Sequence, residues 1–491
     1  MVTPAWDAGS SGSLRRLEHQ QHHQGPIQSV ASTPSARISQ TTPIQDPVVA
    51  SVSLKPGDAG LVSSLWMVIF LLHLLAVLAL IIFLAVRGQV NKRSDFRPAF
   101  WYLPILAATG CSAIAAAVWL LVVLRWPSRA VKAAFWFAPL LTLALGILLI
   151  YAETAVSLAF GVIGLVLSLG LSLYACWVRP RLPHANEIMA SSLPGTHGVA
   201  GRMAAFVAIA LAVGFIWSSI WSLGAGGVAA ARPRFSVVYI VLLLFNLTWT
   251  MEVIRNILTV TIAGFAYMRL GRGVNIDPGE AWRNAWTTSL GNVCLGSAIV
   301  PPIVALRGAA RSVSLVSGDA DEFLFSCTAC FMGAADRLIE LGNRWGFVHV
   351  GVYAKGFVAA SEDTWKLFLL HRMEPVIDLD VTSSFCFLSG VAGGSLSALL
   401  GGIWAAAAAK EKAYAADVTL YSFVIGYFMN RITMSWPQAC VSALHVAYAE
   451  NPRLQQHLVA PITDRIQSLA GSAGHNLKPP QGTENSQVPT P

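Results

Sequence analysis

An all-α fold is what this sequence predicts: a polytopic bundle of about ten transmembrane helices with disordered tails at both ends. Three observations carry that reading. Hydrophobic residues make up 55% of the chain and charged residues 12%. Soluble domains hold roughly 45–50% and about 25%, so this chain has too little charge to cover a water-facing surface. Its apolar residues gather in runs of the roughly 20 residues that a helix needs to cross a hydrocarbon core of about 30 Å. The runs also lack the alternating, roughly ten-residue pattern of barrel strands, which leaves helices as the way to satisfy the backbone in lipid.

Taken in order, residues 1–60 are rich in Ser, Pro, Gln, His and Gly and are expected to be a disordered cytosolic tail, because they cannot bury enough apolar surface to offset ordering. No apolar region follows Met1, so the tail is not read as a signal peptide. Its EHQQHHQ run, with His19, His22 and His23, reads as polar low complexity rather than a metal site. Residues 61–225 form a first group of spans, read at 61–86, 100–124, 132–152, 155–178 and 203–223. Residues 226–460 form a second, with spans at 235–267, 285–306, 382–409 and 415–432. The run at 235–267 exceeds the usual length, so it tilts, breaks or projects into solvent. Residues 323–360 are apolar at both ends but hold Asp336, Arg337, Glu340 and Arg344 between them. They read either as a tenth span with a polar stripe or as an interfacial helix followed by a short span. Residues 461–491 form a second polar tail. Gly-rich patches at 161–170 and 390–402 predict close helix packing.

Arg125, Arg129 and Lys132 fall in the second loop, and Arg179, Arg181 and Arg202 in the fourth. Positive loops favour the cytoplasm, which places the N-terminus inside and, with ten spans, the C-terminus as well. Arg87, Lys92, Arg93 and Arg97 in the first loop run against this orientation.

Composition and motifs exclude several function classes. The net charge of +8 comes from short basic clusters between apolar runs, the distribution of membrane-surface anchors rather than of a nucleic-acid-binding stripe. GxSxG, HExxH and P-loop patterns are absent, and no acid–base constellation supports an enzyme. Cys327 and Cys330 form a CxxC with no second ligand pair and no thioredoxin-like setting, so neither a metal nor a cofactor is expected. His349 and His371 read as hydrogen-bonded structural residues.

One stretch departs from plain lipid solubility. NLTWTMEVIRNILTVTIAGF (246–265) carries Asn246, Trp249, Glu252, Arg255 and Asn256 within an apolar run. With about 100° between successive helical residues, Trp249, Glu252, Asn256 and Thr259 share roughly one quadrant, and Arg255 can pair with Glu252 three residues earlier. Intramembrane charges are costly and face a bundle interior or a wet cavity. The face therefore points either to a solute path or to a buried pair that holds helices together. A carboxylate beside an indole suits an organic cation, because quaternary ammonium groups are recognised by aromatic faces and nearby negative charge. The chain offers 16 Trp and 10 Tyr, many of them at run ends as interfacial belts.

MEVIRNILTVTIAGFAYMRLG (251–271) resembles the choline transporter-like family. RNAWTTSLGNVCLGSAIVPPIVALRGAAR (283–311) is similar to that family's run with a Ser289, Gly291, Cys294, Gly296, Ser297 core. GFVHVGVYAKGFVAASEDTWKLF (346–368) resembles its Tyr-Gly segment, with Ala354 and Lys355 inserted between Tyr353 and Gly356, and ALHVAYAENPRLQQH (443–457) resembles its acidic tail. The resemblance covers about residues 235–460 and points to the plant or fungal branch. It implies a ten-helix protein with both termini cytosolic that moves choline or a related amino alcohol across the plasma membrane or an organelle membrane. On physical grounds, Trp249 and Tyr353 are expected to meet the cation with their ring faces, Glu252 to offset its charge and Asn256 to bind its hydroxyl. The alternatives are a transporter of another solute, or a membrane scaffold or trafficking factor in lipid homeostasis that moves no solute. The expected partners are a small organic cation and membrane lipids, and no nucleic acid.

Overall fold

The computed structural model describes residues 56–94, 96–196, 198–317, 337–371, 373, 377, 380–408 and 412–451. The predicted tails, except for residues 56–60, which begin the first helix, lie outside these residues, as do the histidine run, Cys327, Cys330 and Asp336. The described chain forms fourteen α-helices: α1 Pro56–Val90, α2 Pro98–Arg125, α3 Pro127–Tyr151, α4 Ala155–Val178, α5 Leu182–Ser192, α6 Ala200–Ala231 and α7 Ser236–Arg272, then α8 Pro278–Thr287, α9 Leu290–Ser317, α10 Gly346–Tyr353, α11 Phe357–Leu370, α12 Thr382–Ala408, α13 Lys412–Thr433 and α14 Ser435–Glu450. Among the described residues there is no strand.

Among the described residues, seven stretches are long and apolar enough to cross a membrane: Gly60–Val90 of α1, α2, α3, Ala155–Ser192 across α4 and α5, α6, α7 and α12. The pair α8 and Leu290–Leu306 of α9, bent by 74°, makes eight if it counts as one span. Among the described residues the expected ten are not reached, for two physical reasons. The run predicted at 415–432 does form a helix, α13, but it carries Asp417, Asn430 and Arg431 and packs against α2, α6, α7 and α12. A helix sheltered by other helices does not need a fully apolar surface. The described part of 323–360 is helical at 337–341, 346–353 and from 357, with a break at 342–345 and another at 354–356. Ala354 adopts a left-handed backbone (φ 51°) between α10 and α11. The longest piece, α11, spans about 21 Å, short of a hydrocarbon core of about 30 Å.

Helix α7 is the opposite case. Its 37 residues run unbroken and end at Gly273, which caps the helix with φ 67°. At 1.5 Å per residue it is about 55 Å long, so it tilts or projects from the bilayer. Every residue from Trp249 to Tyr267 is buried, as befits a helix in a bundle's centre. It packs against α6, α8, α9, α10, α13 and α14. By contrast, α4 is mostly exposed and turns Leu158, Phe160, Ile163 and Leu173 outward, where lipid solvates them.

The glycine patches pack as expected. A Cβ on Gly394 of α12 would come within 2.8 Å of the Phe423 carbonyl of α13, and one on Gly161 within 3.0 Å of the Ile150 backbone. At the α7–α10 crossing, a Cβ on Gly351 would stand 2.6 Å from the Val260 carbonyl oxygen, so the two backbones touch there because the side chain is missing.

Candidate functional site

Polar groups on α7 fall at three heights, each facing different neighbours. Near its first third, Trp249 donates its indole N–H to the Cys294 carbonyl of α9 at 3.2 Å. Its ring meets Phe70 edge-on at 5.3 Å and His73 at 4.8 Å, both on α1. Asn246 reaches the His73 Nε2 at 3.0 Å. Two turns beyond Trp249, Asn256 donates to the Ser297 hydroxyl of α9 at 2.9 Å. The family-like Ser-x-Gly-x-x-Cys-x-Gly-Ser core therefore supplies the surface on which the α7 face rests. Its Asn292 also accepts the Phe357 backbone N–H at 3.2 Å, at the start of α11.

At the middle height, Arg255 forms the predicted i,i+3 ion pair with Glu252, and the two side chains are 10% and 8% exposed. The other arm of the guanidinium donates to the Gln438 Oε1 of α14 at 2.9 Å. Arg431 of α13 adds its charge to the same neighbourhood, acting on both Glu252 and Arg255.

The third height lies toward the C-terminal end of α7. Tyr267 and Tyr353 share a hydroxyl–hydroxyl contact of 3.0 Å, and both donate to the Glu450 carboxylate at the end of α14, Tyr353 at 3.0 Å. His349 Nε2 reaches the same carboxylate at 3.0 Å while its Nδ1 meets the Thr364 hydroxyl at 3.0 Å, the structural role expected of it. The Arg272 guanidinium lies 5.4 Å from the Tyr353 ring centroid and Lys355 lies 5.5 Å from it.

Of the four residues expected to meet a cation, the structure brings Trp249, Glu252 and Asn256 onto one sector of α7. It does not bring Tyr353 to them. Tyr353 joins Tyr267, which is 18 residues, or about 27 Å of helix, beyond Trp249. The sequence reading missed Tyr267 on α7 and also His73, Gln438 and Glu450, whose proximity to α7 arises only from tertiary packing. Cys294 and Ser297 were visible within a motif, but their partners on α7 were not. Among the described residues no group of three or more His, Cys, Asp and Glu side chains is placed to hold a metal.

A family model described as plasma-membrane choline transporter matches residues 162–453, more than half of the chain. Among curated proteins, the chain is 28% identical over 229 residues to Protein PNS1 of Mycosarcoma maydis, covering 44% of this chain and 43% of that one. It is 24% identical over 339 residues to Protein pns1 of Aspergillus fumigatus, covering 62% and 61%. A CTL-like protein of Dictyostelium discoideum is 22% identical over 313 residues, covering 60% and 54%. The chain thus spans about half the length of the curated relatives it matches. With its long apolar helices, this is an integral membrane protein, and it belongs to the plasma-membrane choline transporter family.

Proposed function

We propose that this protein carries choline or a related amino alcohol across a membrane, the plasma membrane first among the candidates, with both termini in the cytosol. The observation that carries the reading is the carboxylate-and-indole face of α7, buried in the region that the family model matches. Glu252 is the group that can offset a quaternary ammonium, and Trp249 is the nearest aromatic surface on the same sector. In the conformation described, Arg255 holds Glu252, and Phe70 and His73 cover the Trp249 ring. A cation at this station has to take the carboxylate from Arg255, whose second arm stays on Gln438. Asn256 would turn from Ser297 to the substrate hydroxyl. Tyr353, Tyr267 and Glu450 form a second carboxylate–aromatic station farther along α7, where Arg272 and Lys355 now sit beside the rings as a substrate cation would. Movement between stations is facilitated or ion-coupled, with the two sides of the membrane opened alternately.

A second reading has support of its own. Glu252, Asn256 and Trp249 all have intramolecular partners, as the parts of a scaffold or trafficking factor would. Uptake of labelled choline into proteoliposomes separates the two. Saturable uptake that collapses in Glu252→Gln supports the transporter with its station on α7. Saturable uptake unchanged in that variant keeps the transporter and makes Glu252 structural. No uptake by protein that elutes as a monodisperse, folded species favours the scaffold or another solute.

A further inference from the structure

The middle height of α7 belongs to a larger buried charge cluster. Arg344, just before α10, pairs with Asp380 at 3.3 Å, and the Asp380 side chain is 0% exposed. Electrostatic interactions link Arg344 to Arg255 and Arg431, and Arg431 in turn to Glu252. Helices α7, α13 and α14 and the segments that lead into α10 and α12 thus meet at one polar core. Among the described residues its charges are the three guanidinium groups of Arg255, Arg344 and Arg431 against the two carboxylates of Glu252 and Asp380, so the positive groups exceed the negative ones.

The excess coincides with unused hydrogen-bond donors. The Nε atoms of Arg255, Arg344 and Arg431 are shut off from solvent and bond to nothing among the described residues. His445 of α14 is wholly buried, interacts electrostatically with Arg344 and Asp380, and has both ring nitrogens unpartnered. A guanidinium cannot shed its proton in a protein, so it cannot answer burial by becoming neutral. An uncompensated charge and a buried donor without an acceptor are each costly in a bilayer interior. One occupant answers both costs: an anion.

We propose that the Arg255–Arg344–Arg431–His445 cluster is a binding site for a small monovalent inorganic anion of the halide class. The single excess positive charge suits a monovalent ion. Separate N–H donors on different helices suit a spherical ion better than a planar carboxylate, which pairs with two donors of one guanidinium. The inference stands apart from the choice of transported solute. An anion there would lower the cost of keeping Arg255 and Arg431 buried when Glu252 is engaged elsewhere.

The test is equilibrium binding of radiolabelled chloride to the purified full chain in detergent, at constant ionic strength with gluconate as the replacement anion. Saturable binding displaced by bromide and not by gluconate is expected, with affinity about tenfold weaker in Arg431→Gln. Absence of saturable binding to the wild-type protein overturns the proposal, as does binding that is identical in wild type and Arg431→Gln. If that variant does not fold, Arg431→Lys keeps the charge and lacks the Nε donor. Binding severalfold weaker than wild type is then expected, and unchanged affinity overturns the site.

Discussion

Replacing Glu252 with glutamine preserves volume and removes one negative charge from a pair whose side chains are 10% and 8% exposed. Arg255 then lies buried with only the Gln438 contact at 2.9 Å, and Arg431 repels it. Breaking a buried pair from one side costs about 3–5 kcal/mol, and the remaining Gln438 bond places the expected loss near the lower end, about 3 kcal/mol. Replacing both residues, as Glu252→Gln with Arg255→Met, removes the stranded guanidinium too. What remains is the Gln438 carbonyl and the amide introduced at position 252, both left without Arg255, a loss of about 2 kcal/mol. The double variant is therefore expected to be more stable than Glu252→Gln alone by about 1 kcal/mol, against the usual rule that substitutions accumulate damage. Equilibrium unfolding of the purified proteins in mixed micelles, titrated with a denaturing detergent, measures the three differences. If the double variant is no more stable than Glu252→Gln, the pair is not the closed buried unit described above.

Gly351→Ala is expected to abolish recovery of folded protein, because its Cβ would stand 2.6 Å from the Val260 carbonyl, a backbone atom that cannot move aside. Gly60→Ala, with nothing within 4 Å, should leave the yield unchanged when the two are compared by size-exclusion chromatography. Ser297→Ala strands the Asn256 amide N–H in a buried setting and should cost about 1–3 kcal/mol in the same unfolding titration. Glu450→Gln weakens the acceptor shared by Tyr267, Tyr353 and His349. Hydrogen exchange should rise across α10 while the start of α7 stays protected, and unchanged exchange in α10 would show that the cluster does not hold that helix.

The sequence made the helical fold legible because lipid leaves the backbone one economical solution and runs such as 61–86 or 203–223 have no competing period. The ion pair of Glu252 and Arg255 was legible for the same local reason, since helix geometry alone sets their approach. Span number was less legible. Hydropathy reports exposure to lipid, and α13 is apolar by burial among helices rather than by contact with lipid. The break at Ala354 was hidden because alanine is a helix former and its positive φ is imposed by context. Tyr353 was grouped with Trp249 because each offers an aromatic face to a cation, and sequence carries no measure of the distance between them. Only the placement of α10 along α7 reveals that Tyr353 meets Glu450.

The partners of α7 differ in strength from side to side, and that asymmetry bears on how the bundle can move. Toward α9 it is held by neutral hydrogen bonds, from Trp249 to Cys294 and from Asn256 to Ser297. Toward α14 it is held by bonds in which one partner is charged, from Arg255 to Gln438 and from Tyr267 to Glu450. Charge-assisted bonds are roughly twice as strong as neutral ones. Separating α7 from α9 therefore costs less than separating it from α14. The same α9 carries Pro301 and Pro302 within its helix and meets α8 at a 74° bend, so its own backbone is the more easily reshaped. On the proposed transport reading, a path that opens beside Trp249 and Asn256 lies between α7 and α9, where these two side chains meet the Cys294 carbonyl and the Ser297 hydroxyl.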